Sequence, residues 1–134
     1  MLRSLFLSLI LLLIPLSSQA WWNEGWSYRK EIILDTSATG ANLTGDLQNV
    51  PVLVRLHTGN FGYFLDIEPK GEDIRFVAAD DKTPLKYHVE RFDAINEMAL
   101  IWVLLPEVKA GSNTETIWMY YGSPAAVAAD DSNG

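Results

Sequence analysis

The side chains in this sequence whose types could do chemistry are aromatic and carboxylic. Five tryptophans occur, and Trp21, Trp22 and Trp26 stand close together. Trp102, Trp118 and Tyr120 lie on later apolar segments. Indole and phenol rings combine a broad apolar face with a polar tip, which suits stacking on a pyranose ring. If the segments that hold Trp102 and Trp118 pair as neighbours, then Trp102, Trp118 and Tyr120 form a ladder on one sheet face. These three, with Trp22 and Trp26, are the candidate ligand-binding residues, and a glycan is the ligand class they suit. Large aromatics more commonly serve packing, so packing is expected first and ligand contact second.

Carboxylates offer other chemistry. Glycoside hydrolysis needs two of them facing across a substrate, and Glu31, Glu90 and Glu97 are the residues to inspect. Seventeen acidic residues always permit such a pairing, so the permission singles out nothing. Asp80-Asp81 and Asp130-Asp131 could supply calcium with loop oxygens, but the regular ligand spacing of an EF-hand is missing. They read as solvated turns. His57 and His88 provide at most two metal ligands and sit on segments with polar faces. Ser27, Ser37, Ser112 and Ser123 stand in no nucleophile elbow. No phosphate-binding glycine loop or zinc spacing occurs. The expectation is a domain with no catalytic residues, no metal site and no cofactor.

Residues 1–20 have the three parts of a secretory signal. Arg3 supplies the positive start, Leu5 to Leu16 a nearly unbroken apolar run, and Ser17-Ser18-Gln19-Ala20 a small-residue exit. Cleavage is expected after Ala20, and the apolar run is short for an uncleaved membrane span. The chain has no cysteine, which excludes a disulfide framework and thiol chemistry. Its formal charge is −7, and the leader holds one basic residue and no acidic one. The exported part is therefore more acidic still. It repels phosphate backbones, which argues against nucleic acid as a partner.

The elements that must position the aromatics are short and alternating. Strands are expected over 27–34, 49–57, 73–78, 85–92, 98–105 and 114–121, with turn residues between them. In the third, Ile74, Phe76 and Ala78 face inward and Val77 outward. The third and fourth read as an antiparallel hairpin. The last two are apolar on both faces and should be central, their second face covered by the Trp-rich segment, a loop or a following domain. Pro106 should end the fifth. A helical turn is expected over 61–65, with Phe61, Tyr63, Phe64 and Leu65 plugging one end of the core. The fold class is all-β, an antiparallel, jelly-roll-like β-sandwich over 21–126, with 127–134 a linker or fragment end.

Trp26-Ser27-Tyr28-Arg29-Lys30, Asp73-Ile74-Arg75-Phe76, Ile101-Trp102-Val103 with Leu105-Pro106, and Tyr120-Tyr121-Gly122 form a series. From about Trp21 to about Ala126 this series resembles the bacterial family called domain of unknown function 2341. Ser123 after Gly122 departs from the family's more usual asparagine. The resemblance implies a domain placed directly after a signal peptide in multidomain envelope proteins. It implies a laminin-G-type sandwich as a frequent neighbour, and a MotA/TolQ/ExbB-type proton-channel domain further on in some proteins. It carries no catalytic residues to this chain. The expected function is a non-catalytic, extracytoplasmic recognition or accessory module of a larger ExbB/TolQ-like biopolymer-transport protein. The alternatives are a carbohydrate-binding module, a scaffold docking a following sandwich domain, and, last, a glycosidase. The expected location is the periplasm or cell envelope. The partners are an adjacent domain of the same polypeptide or other envelope proteins, with membrane contact only through the larger parent.

Overall fold

β-branched and aromatic residues crowd the segments that become strands, because they fit a pleated, half-buried surface. The computed structural model describes residues 22–23, 25–68 and 71–123. The expected leader over 1–20, Trp21, the tail over 127–134 and the Asp130-Asp131 pair lie outside the described residues. Seven strands form: β1 Tyr28–Leu34, β2 Leu47–His57, β3 Ile74–Ala78, β4 Pro84–Leu85, β5 Tyr87–Asp93, β6 Met98–Val108 and β7 Glu115–Tyr121. They make two sheets in the orders β1-β7-β3-β4 and β2-β6-β5, and every pairing is antiparallel. The protein is an all-β sandwich.

The two strands with apolar residues on both faces, β6 and β7, are flanked on each side, as their composition requires. Pro106 does not end β6. It stands opposite Asn49, where bridging lapses for one step and resumes at Gln48–Glu107. A residue without an N–H interrupts a ladder locally without stopping it. No helix occurs among the described residues, and 61–65 is irregular chain with a turn.

The expected hairpin over 73–92 is a correction. β3 pairs with β4 at Phe76–Leu85 and Val77–Pro84 only. The chain then crosses at Lys86 to the other sheet, where β5 pairs with β6. Leu85 and Tyr87 stay buried on both sides of the crossing. Alternation along the chain thus survives a change of sheet, and so could not reveal it.

Between the sheets lies one apolar core, with Val54, Leu56, Ile74, Phe76, Ile101, Val103 and Met119 among its members. Phe61 and Phe64 close one end; Tyr63 packs its ring against Phe61 and Tyr121 from the outside and stays partly exposed, whereas Leu65 is exposed. A second cluster sits on the outer face of the four-stranded sheet. It consists of Trp26, Val77 and Tyr120, with Trp22 and Trp118 packed against them. Val77 points away from the main core and is still fully buried, because the Trp-rich segment covers it.

Candidate functional site

Two aromatic environments result, one on each outer face. On the four-stranded sheet the expected ligand-binding residues Trp22, Trp26, Trp118 and Tyr120 are engaged with one another. The Trp22 backbone N–H donates to the Tyr120 hydroxyl oxygen at 3.0 Å. That hydroxyl donates to one oxygen of Asp81, whose other oxygen takes the Arg29 guanidinium. The Arg29 guanidinium also lies over the Trp118 ring, 4.2 Å from its centroid, and Arg75 lies 5.2 Å from the Trp26 centroid. Ring centroids of Trp22 stand 5.9 Å from Trp26 and 5.5 Å from Tyr120. Burial first, and Asp81 second, push the Tyr120 phenol above its ordinary pKa.

Two expectations are corrected here. Trp102, Trp118 and Tyr120 form no ladder, because β6 and β7 belong to different sheets. Asp81 lies in the expected turn, but its carboxylate faces inward rather than toward solvent. It holds a left-handed backbone conformation, φ 56°, and anchors Arg29 and Tyr120. The sequence signal lay in Arg29 itself, which the opening motif contains, but the motif does not name its distant partner.

On the other outer face Trp102 stands alone. It occupies the middle of β6, directly opposite Leu53 of β2 and His88 of β5. It is 37% exposed, with Leu53 at 42% and Leu104 at 36%. Its indole Nε1 donates to Glu90 Oε2 at 2.7 Å. Glu90 is reached because β5 shifts register between Val89 and Arg91. A bulge of this kind re-aims a side chain, and here it tethers the ring. The result is a fixed apolar plate with polar groups at its edge.

The remaining carboxylates and histidines are dispersed. Glu31 lies on β1 of the opposite sheet, and Glu97 lies in the turn between β5 and β6. His57 Nδ1 accepts the Gly59 N–H at 3.0 Å. Among the described residues no group of three His, Cys, Asp or Glu side chains is placed to hold a metal ion.

A third feature was not read from the sequence. β1 and β2 are edge strands on the same side of the sandwich, and an apolar cleft of about 530 Å³ opens between them. Ile32, Leu34, Val50, Val52 and Val54 line it. The opposite side is bridged by the chain crossing from β4 to β5. Only the strand order, which alternation does not encode, brings β1 beside β2.

No curated protein and no solved structure matches the chain. Residues 70–134 match the model of a family described as a domain of unknown function (DUF2341). The match takes in β3 to β7 and leaves the Trp26–Lys30 opening outside it. Over that span, the chain resembles the domain of unknown function DUF2341.

Proposed function

We propose that this domain is a non-catalytic recognition module that binds glycan on the outer face of its three-stranded sheet. The observation that carries the reading is the exposed, tethered Trp102 at the centre of β6. Leu53 and Leu104 extend its apolar surface, and Glu90 and His88 stand at its edge. A glycosidase would need a pair of carboxylates across a cleft, and Glu31 lies on the other sheet from Glu90. The leader and the family resemblance support export to the periplasm or cell envelope. They also support membership of a larger ExbB/TolQ-like biopolymer-transport protein, with an adjacent domain as partner.

Titration of a broad glycan panel, followed by tryptophan fluorescence, tests the reading. A response present in the wild type and absent in Trp102→Ala supports it. No response to any glycan, or a response that persists in Trp102→Ala, removes it.

The apolar cleft favours a second reading. There the domain is a scaffold, and an extended apolar segment of a following domain lies between β1 and β2. Edge strands offer unpaired backbone groups to such a segment. On this reading the protein without that domain self-associates, and Ile33→Asp at the exposed edge reduces the association. Sedimentation as a monomer at all concentrations would count against it.

A further inference from the structure

We infer that the glycan taken by this face is anionic, a pyranose chain bearing carboxylates. The inference rests on Trp102 as a sugar platform and adds the charge of the ligand.

A residue in an antiparallel sheet has two direct cross-strand neighbours and four diagonal ones. The diagonal positions are roughly 7–8 Å away, within reach of long side chains. The direct neighbours of Trp102 are Leu53 and His88. On one side along β6, Leu100 stands opposite Arg55 of β2 and Arg91 of β5. On the other side, Leu104 stands opposite Pro51, and its N–H donates to the Lys86 carbonyl at 2.9 Å. Three of the four diagonal positions around the ring are therefore cations, and Arg55, Lys86 and Arg91 are all exposed.

Two acidic groups, Glu90 and Asp93, stand beside these three cations and keep their charge, so the surround of the ring is positive by one. Glu90 accepts the Trp102 indole N–H. Asp93 takes Arg91 at 3.3 Å and the Asn96 backbone N–H at 2.9 Å. Neither Arg55 nor Lys86 has an ion-pair partner among the described residues. The whole chain carries a formal charge of −7. Cations gathered around one exposed ring on an acidic protein form a local field of opposite sign, which selects anions. A pyranose stacked on Trp102 directs its substituents outward, toward these side chains. The planar guanidinium of Arg55 matches a carboxylate with two parallel N–H donors. A neutral sugar offers these cations hydroxyl acceptors but no charge to pair with.

Two probes with one backbone separate the charge from the stacking: an oligogalacturonate and its fully methyl-esterified form. Each is titrated calorimetrically into the wild-type protein, into Arg55→Gln/Lys86→Gln and into Trp102→Ala. Circular dichroism confirms that each variant is folded. The acid form is expected to bind at least about tenfold more tightly than the ester, and to weaken as salt is added. Arg55→Gln/Lys86→Gln should lose that preference and keep its affinity for the ester. Equal binding of the two probes, or an unchanged preference in the double variant, overturns the anionic inference and leaves the platform standing. Binding of neither probe also overturns it, and the neutral-glycan panel then decides the platform on its own.

Discussion

The backbone N–H of Trp22 donates to the phenolic oxygen of Tyr120 at 3.0 Å, which fastens the segment ahead of β1 to the central strand β7. The same hydroxyl donates to Asp81 in the β3–β4 turn. One phenol thus joins three parts of the chain. Tyr120→Phe keeps the ring and leaves Trp22 N–H and one Asp81 oxygen without this partner. Loss of partners for partly buried groups costs about 1–3 kcal/mol. For a domain of this size that lowers Tm by roughly 4–8 °C per kcal/mol. Calorimetry measures the drop, and the emission of Trp22 should shift to the red. Trp26→Ala should cost more, about 3–5 kcal/mol, because Trp26 is buried against Val77 and Tyr120. Similar melting of wild type and Tyr120→Phe would show that the hydroxyl is not a fastening.

Gly122 and Gly111 give a matched pair. Both hold positive φ, 76° and 64°. A Cβ at Gly122 would meet the Tyr28 ring at 2.9 Å, whereas one at Gly111 would meet nothing within 4 Å. Gly111→Ala therefore costs only the left-handed backbone, about 1–2 kcal/mol. Gly122→Ala carries the same backbone cost and must also displace Tyr28, which stacks on Tyr63 and Tyr121. It should be the more damaging by at least about 1 kcal/mol. Urea midpoints of the two variants, compared at equal m-value, check the order.

Trp102 and Glu90 should separate binding from stability. Trp102 lies outside the core, so Trp102→Ala should change stability by no more than about 1 kcal/mol while abolishing the fluorescence response to ligand. Glu90→Gln keeps an acceptor for the indole N–H, and Glu90→Ala removes it. Ligand affinity should survive the first change and fall several-fold in the second, since an untethered ring must be ordered on binding. An alanine variant that binds as tightly as wild type would mean the tether does not position the ring.

How much of this was legible depends on range. The apolar residues on both faces of 98–105 and 114–121 announced two central strands, and both are flanked on each side, but only β7 is covered on its outer face, since Trp102 and Leu104 on the outer face of β6 are exposed. The cover for one of them, the Trp-rich segment, was among the possibilities that composition allowed. Sheet membership was not legible. Leu85 and Tyr87 face inward in either sheet, so nothing in their spacing marks the crossing at Lys86, and the ladder of Trp102, Trp118 and Tyr120 depended on a pairing of the last two strands that their apolar faces do not encode. Glu90 could be named as a carboxylate but not as a tether, because its role depends on a register shift between Val89 and Arg91. Asp81 was read from its neighbours Asp80 and Lys82, whereas its partners Arg29 and Tyr120 lie far off in sequence.

The pH dependence of stability has two limbs with different owners. At the acid end, Asp35, Asp46, Asp80 and Asp93 are held below their ordinary value of 3.8. The leading causes are the Ser37 hydroxyl for Asp35, the Ala110 backbone N–H for Asp46, the Thr83 hydroxyl for Asp80 and the Asn96 side chain for Asp93. The unfolded chain takes up these protons at a higher pH than the folded one, so stability falls as pH falls. Their contribution is complete above the unfolded value and is lost as pH drops through the folded values below it. At the alkaline end, burial raises Tyr120 and Tyr121 above 10.0. Lys109 is raised above 10.5, first by Glu107 and then by Asp46. The folded chain keeps these protons longer, so their contribution is complete below the unfolded values and is lost as pH rises past them. Urea midpoints should be level between about pH 5 and about pH 9 and decline on both sides. Asp80→Ala with Asp93→Ala should flatten the acid limb and leave the alkaline one unchanged. Tyr120→Phe should do the reverse. An acid limb as steep in the double aspartate variant as in the wild type would assign it to other carboxylates.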